Sequence, residues 1–413
     1  MTRTFRYRLK TSATGQARLA RILGLCQALY NAALQERRDA WRKARKSIGF
    51  AAQCRSLTEI RRDLPEYGDL PRRPAVDALR RLDRAFAAFF RRCKAGEKPG
   101  FPRFRARDRY DSFGCDSVPG NGWGLEGKHL RIGDLRVRVS FHRPLPAGAL
   151  VRGFRVKREG RHWYASFALD LGAAPEKRPV RNAVGIDLGV TSLAVLSDGT
   201  EVENPRHLGR SLGKLAVAQR ALSAKPRRRS RRREIAKAAV ARLYCKVRNQ
   251  RHDYLHVVSR DLVARYDLIA HEDLRIRNML RRGEETPKAV VGLHRSIQDA
   301  AWGTLIGMIT YKAECAGTWV VPVDPRRTTS TCARCGRDAP KRLDEREHNC
   351  PCGYRTGRDD NAAENVLHRG VRWARGASVP FAELASRGLP GRASRRPARG
   401  HHRGNGGCLL RAA

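Results

Sequence analysis

AVGIDLGVTSLAVLSDGTEV, residues 183–202, reads as two apolar strands joined by a tight, glycine-containing turn. One acidic side chain, Asp187, stands inside the first strand between Ile186 and Leu188. A carboxylate there is costly to bury unless it is paired or holds a metal. The plainer reading is an aspartate on the solvent face of a half-buried strand. Residues 209–265 form the longest helical pattern, with Ile235, Ala239, Leu243, Val247, Tyr254, Val258 and Leu262 along one face. YDLIAHEDL, 266–274, is a short apolar strand ending in Glu272 and Asp273. A helix-like segment, SIQDAAWGTLIGMITYKAECAG, precedes a further strand, TWVVPVD, and a last helix opens at Asp359 and Asp360. Hairpin, crossover helix, strand, helix, strand, helix is the order of an α/β domain with a mixed sheet. Functional groups in such domains collect at strand ends and helix N-termini. Asp187, Glu272 and one of Asp359 or Asp360 occupy such places, although an aspartate opening a helix also serves as an ordinary cap.

A boundary falls at AAPEKRPVRN, residues 173–182, and the chain before it has a different pattern. TFRYRLK, 4–10, alternates like a strand, and residues 13–47 turn helical through Leu19, Leu23, Cys26, Leu29 and Ala33. A second helix is predicted over about 74–93, through Val76, Leu79, Leu82 and Phe86. KAGEKPGFPRFRARDRYDSF, 94–113, is a basic loop punctuated by Pro and Gly, followed by the alternating runs LRVRVSF, VRGFRVKR and HWYASFALDL. The first half is therefore a β-rich module with a helical insertion. Phe101, Phe104 and Tyr110, set among Arg103, Arg105 and other arginines, suit stacking on bases, or equally a small core at strand ends.

Of the 413 residues, 85 are Lys or Arg and 40 Asp or Glu, a formal net charge of +45. Such an excess repels itself unless a polyanion neutralises it, which points to nucleic acid. No apolar run approaches the roughly 20 residues that span a bilayer. The N-terminus, MTRTFRYRLKT, lacks the apolar stretch of a secretory signal, so a cytoplasmic location is expected. KPRRRSRRR, 225–233, contributes Arg227, Arg228, Arg229, Arg231, Arg232 and Arg233 as candidate phosphate contacts. A charge run is ordinarily a solvated face, but this one contains no acid at all. Residues from about 374 onward are rich in Arg, Gly and Pro and read as a disordered basic tail.

Seven of the eleven cysteines are scattered singly, which fits reduced thiols. Cys332, Cys335, Cys350 and Cys352 lie within 21 residues, and this clustering argues for one metal site rather than a disulfide framework. Cys332-x2-Cys335 followed by Gly336 is a regular zinc-knuckle half. Cys350-x-Cys352 is one residue shorter than usual, which leaves open a tight four-cysteine Zn²⁺ site, His348 in place of Cys350, or no metal. Four protein ligands would make the ion structural. The three carboxylates, by contrast, suit two Mg²⁺ ions, hard cations that prefer oxygen. Such a pair, roughly 3.5–4 Å apart, serves phosphodiester hydrolysis.

GIDLGVTSLAVLSDG, HEDL, TSTCARCG and GRDDNAAENVL resemble the successive motifs of the TnpB/OrfB family of insertion-sequence proteins. FRYRL with LYNAAL, KPGFPRF with YDSF, and SIQDAAWG with YKAECAG extend the resemblance to nearly everything before residue 373. It implies a multidomain α/β and α+β chain. A β-barrel-like wedge module (1–11 and 106–176) would carry a helical recognition insertion (12–105). An RNase H-like RuvC nuclease (180–325 and 356–373), a mixed sheet with flanking helices, would carry a zinc-ribbon insertion (326–355), and the tail (374–413) would follow. The resemblance further implies a guide RNA from the element's end, target double-stranded DNA and no membrane partner. Its last motif places the ligand two residues before an Asn. Asn361 therefore selects Asp359, with Asp187 and Glu272, and leaves Asp360 a capping role. The rival readings are a guided repressor that binds without cutting, an unguided RuvC-like nuclease, and a strand-transferring transposase. Tyr244 and Tyr254 look like packing residues rather than the nucleophile that the last would need.

Overall fold

The computed structural model describes residues 1–120, 122–226, 230–281, 287–342 and 344–381. The chain opens with β1 (Thr2–Lys10), α1 (Ala13–Ala44), α2 (Phe50–Asp63), the single turn α3 (Pro65–Gly68) and α4 (Arg72–Lys94). Six strands follow: β2 (Ser112–Cys115), β3 (Trp123–Glu126), β4 (His129–Ile132), β5 (Leu135–Ser140), β6 (Leu150–Glu159) and β7 (His162–Asp170). Next come β8 (Ala183–Leu188), β9 (Ser192–Leu196), β10 (Glu201–Glu203), α5 (Leu212–Ser223), α6 (Arg231–Arg265) and β11 (Leu268–Glu272). The chain continues through α7 (Ile276–Met279), α8 (Lys288–Ala300), α9 (Trp302–Ala316), β12 (Trp319–Val323), β13 (Glu347–Asn349), β14 (Arg355–Gly357) and α10 (Arg358–Gly376). Two compact units emerge, Met1–Pro175 with Arg206–Asp253, and Glu176–Pro205 with Tyr254 onward.

In the first unit β1–β7 form one antiparallel sheet in the order β2-β6-β7-β1-β5-β4-β3. No ladder joins β2 to β3, so the pairing stays open among the described residues. Strand β7 alternates buried and half-buried side chains along its whole length, the pattern of a sheet with one face on a core. Its Trp163, Ala165, Phe167 and Leu169 meet Leu19, Leu23, Leu34, Leu79 and Leu82 in one continuous apolar cluster. The helical insertion is thus not an appendage, because its apolar stripes and the sheet face complete a single core. Helix α2, absent from the sequence reading, lays Gln53 and Leu57 into that core, with Phe50 and Cys54 half-buried against it. The long pattern over 209–265 is two helices, since α5 ends at Ser223 and α6 begins at Arg231. Pro226 lies in the interval, and a proline cannot continue the hydrogen-bond ladder of a helix. Tyr110, a candidate base-stacking residue, is a core residue instead, buried beside Tyr30 with the Arg81 guanidinium over its ring.

The second unit is a five-stranded mixed sheet in the order β10-β9-β8-β11-β12. β8–β9–β10 run antiparallel, whereas β11 lies parallel to β8 and β12 parallel to β11. All five residues of β11 are buried, as expected of a central parallel strand covered on both faces. Helix α10 lies on β8 and β11 at very short range. A Cβ added at Gly185 would stand 2.1 Å from the Ala363 carbonyl oxygen, and one at Gly370 would stand 2.4 Å from the Ala270 Cβ. Glycine at these two contacts is what lets the helix approach so closely. α10 runs three residues beyond 373, and Val379 is buried beyond it. Val180 pairs with Phe381, so this part of the anticipated tail is packed, while residues 382–413 lie outside the described residues.

Candidate active site and cysteine ribbon

Register brings two of the carboxylates together. His271 on β11 is the partner of Ile186 on β8, so the next residues, Glu272 and Asp187, lie side by side on parallel strands. Neighbouring strands run about 4.8 Å apart, and register partners point to the same face. Asp359 joins them from the first turn of α10, where the helix N-terminus favours negative charge. Asp187 is 9% exposed and Glu272 8%. Burial, then the negative charges of Glu272 and Asp359, push the Asp187 carboxyl up to about 8, and Arg358 only partly offsets them. Burial also raises Glu272, against a hydrogen bond from Thr328 and the nearby charge of Arg369. Two buried strand-end carboxylates with a third at a helix start, the first of them raised by burial and by the charges of the other two, are a site that favours cations. Hard divalent ions suit this oxygen-only donor set.

Asp360, by contrast, folds back so that its Oδ2 stands 2.4 Å from where a Gly357 Cβ would be. It occupies the third position of α10 and faces the cap residue Gly357, the place of the acidic partner in a capping box. The two adjacent aspartates thus divide, with Asp359 toward the strand ends and Asp360 toward its own helix.

Cys332, Cys335, Cys350 and Cys352 bring their Sγ atoms all within 4.8 Å of one another. Cys332 and Cys352 are 3.8 Å apart, and Cys335 and Cys350 are 3.5 Å apart. Zn–S bonds of about 2.3 Å set tetrahedrally require an S···S edge of about 3.8 Å. A disulfide requires about 2.05 Å. The quartet therefore fits one tetrahedral ion. The short second pair works because Gly353, at φ 85°, turns the chain immediately after Cys352, as Gly336, at φ 74°, does after Cys335. His348 does not join the quartet: its Nδ1 meets the Lys341 ammonium, and its ring lies 5.9 Å from that of Tyr354.

Residues 324–333 run into the cysteine cluster, and their attachment to α10 was not read from sequence. Asn361, Asn365 and Arg369, spaced along one stripe of α10, hold this segment by side-chain hydrogen bonds to backbone. Asn361 Nδ2 donates to the Thr331 carbonyl at 2.8 Å, and its Oδ1 accepts from the Ala333 N–H at 2.9 Å. Asn365 Nδ2 donates to the carbonyls of Thr328 (2.9 Å) and Thr331 (2.7 Å). Arg369 donates to those of Asp324 (2.6 Å) and Arg326 (2.8 Å). The Asn-x3-Asn-x3-Arg spacing is the sequence signal that could have revealed this stripe.

The basic candidates are dispersed. Arg231 and Arg232 are exposed at the start of α6, whereas Arg233 donates to the carbonyls of Leu222 and Lys225 at the end of α5. Arg227, Arg228 and Arg229 lie outside the described residues. Arg103 is exposed. The backbone of Arg105 is pinned to α1 in both directions by Asn31, and its guanidinium lies over the Tyr30 ring. That anchoring presents Phe101 (47% exposed) edge-on against Phe89, and Phe104 (45% exposed) beneath Arg38.

Residues 162–283 match the OrfB family of IS605, described as a probable transposase, and residues 302–366 match the Cas12f1-like TNB domain. A helix-turn-helix family matches residues 1–46, where the structure has β1 followed by the single long helix α1. A relative from Streptomyces pristinaespiralis, a putative RNA-guided DNA endonuclease, is 32% identical over 89% of both chains. The chain belongs to the TnpB/OrfB family. A second TnpB/OrfB relative, the putative RNA-guided DNA endonuclease InsQ of Escherichia coli (strain K12), is 30% identical over 89% of this chain and 92% of its own. The fold is also that of the protein in a Cas12f1–sgRNA–target DNA complex. That match has a TM-score of 0.55 at 12% identity and covers 89% of this chain and 98% of the other. Among the described residues no helix is long and apolar enough to cross a membrane.

Proposed function

We propose that this chain is an RNA-guided, metal-dependent DNA endonuclease of an insertion element, cutting beside a short motif that the protein reads on the duplex. The observation that carries the reading is the convergence of Asp187, Glu272 and Asp359 at the ends of β8 and β11 and the start of α10. Sheet order and strand directions support an RNase H-like RuvC nuclease at 180–325 and 356–373, with a ribbon at 326–355. The antiparallel module at 1–11 and 106–176 would be the wedge, and 12–105 the recognition insertion. Cys332, Cys335, Cys350 and Cys352 would hold one structural Zn²⁺. Two Mg²⁺ ions held by the three carboxylates would supply an activated water and stabilise the leaving oxygen. Asp187 and Glu272, buried, and Asp359, half-buried beside them, would fix where those ions sit. The +45 charge, with Arg103, Arg105 and Arg231 to Arg233 among its sources, would draw in guide and target. Base pairing would then choose the sequence.

The test is to purify the protein from a gene with its native flanks and sequence the bound RNA. DNA carrying the matching target is then offered. One discrete RNA running past the element's end, with cleavage lost in Asp187→Ala, is expected. Absence of a discrete RNA, or undiminished cutting by Asp187→Ala, would overturn the reading.

A further inference from the structure

Thr328 is 2% exposed, and its hydroxyl lies 2.6 Å from Glu272 Oε1. The same hydroxyl stands 3.0 Å from the Pro325 carbonyl, so its single hydrogen chooses between the two acceptors, and the shorter contact is the carboxylate. Thr328 is itself fixed from behind, because Asn365 donates to its carbonyl. Four residues further on, Cys332 enters the sulfur quartet, and the next residue, Ala333, is held by Asn361. The segment 324–333 is thus a strap pinned along α10, with a metal-ligating residue near one end and a hydroxyl on an active-site carboxylate near its middle. A carboxylate with one oxygen fixed by a buried donor has little rotational freedom and presents its other oxygen in one direction. Partners of this kind, behind the metal-binding atoms, tune metal affinity by about 10–100-fold.

We propose that Thr328 is a positioning residue for Glu272, and that the strap makes the aim of that carboxylate depend on a folded, metal-loaded ribbon. The inference rests on the reading of Glu272 as a Mg²⁺ ligand. Thr328→Val keeps the shape and removes the hydroxyl, whereas Thr328→Ser keeps the hydroxyl. Both are made in the full chain with its bound RNA. Two titrations are run: target cleavage against Mg²⁺, and Mn²⁺ binding followed by the loss of the free-ion EPR signal, with the Glu272→Ala complex as background for ions on the RNA. The valine variant is expected to raise the half-saturating metal concentration about tenfold in both, with zinc content and melting temperature held near wild type. The serine variant should restore both to within about threefold. Asn365→Ala, which touches neither carboxylate nor cysteine, should move both titrations in the same direction as valine. If valine loses its zinc or its melting transition, Thr328→Ala takes its place. Unshifted titrations in the hydroxyl-free variant, or serine no better than valine, would overturn the proposal. Glu272→Ala separates this failure from failure of the parent reading. If that variant cuts normally, Glu272 is no ligand at all, whereas a dead Glu272→Ala beside a normal Thr328→Val removes only the positioning role.

Discussion

Gly185→Ala adds one methyl group on β8, two residues before Asp187, and should disable the site without touching it. The new Cβ would stand 2.1 Å from the Ala363 carbonyl oxygen and 2.4 Å from the Leu367 backbone nitrogen, where ordinary contact begins at 3.4 Å. Both neighbours are backbone atoms, so no rotamer change relieves the clash. Helix α10 must retreat by about 1.3 Å or the strand must bend by as much, and a misplacement of about 1 Å can cost on the order of 10²-fold in rate. Asp359 rides on that helix one turn before Ala363. Overpacking of this kind also costs about 1–3 kcal/mol of stability. Single-turnover cleavage with saturating guide and target, beside a melting curve, reads both effects. Cleavage should fall by about two orders of magnitude while RNA binding persists. Gly307→Ala is the control, since no heavy atom lies within 4 Å of a Cβ there, and in the interior of α9 it should stabilise by up to about 1 kcal/mol. If Gly185→Ala cuts within about twofold of wild type and melts at the same temperature, the height of α10 above the sheet is not what sets the site.

Three further outcomes follow from the same geometry. Asp359→Ala should abolish cleavage and retain DNA binding, whereas Asp360→Ala, at a side chain that faces its own helix start, should cut nearly normally; plasmid cleavage by the two variants distinguishes them. In metal-free buffer the raised Asp187 carboxyl means that the folded state holds a proton the unfolded state has lost. Its contribution to stability is therefore greatest below the ordinary carboxylate range and declines as pH rises toward about 8. Asp187→Asn should flatten this decline and Mg²⁺ should reverse it, as melting curves across that window would record. Cys352→Ser should lower zinc content from one ion per chain, measured by elemental analysis, while His348→Ala should leave it unchanged; the reverse pattern would return His348 to the ligand set.

Asp187 and Glu272 were legible because burial leaves a period in the sequence. An acid inside an apolar strand and one at the end of a second strand break that period, whereas an acid at a helix start breaks none, and Asp359 was chosen through the family resemblance and Asn361. The succession of strands and helices in the second unit was legible for the same reason. Helix α2 was not, because a glutamine, Gln53, stands in the stripe that Phe50, Cys54 and Leu57 turn inward and breaks its apolar run. Tyr110 stayed open between two readings because an aromatic among arginines looks alike whether the arginine stacks on it from within the fold or a base does so from outside. The strap escaped notice for a further reason. Its bonds run from side chains to backbone carbonyls between 30 and 45 residues earlier, and a carbonyl has no letter in a sequence.

The ribbon leaves the sheet through a strap pinned to α10 and returns through β14, whose last residue, Gly357, is the cap of that same helix. Entry and exit are thus anchored on one rigid rod. Residues between these ends are tied back to both, because Lys341 Nζ donates to the Thr329 carbonyl of the strap at 2.6 Å and the Arg358 N–H of α10 donates to the Arg346 carbonyl at 2.8 Å. A domain spliced into this stretch would therefore pull on the strap beside Thr328 and on the helix start beside Asp359, and the same insertion one turn into α10 would uncouple both ends of the rod at once.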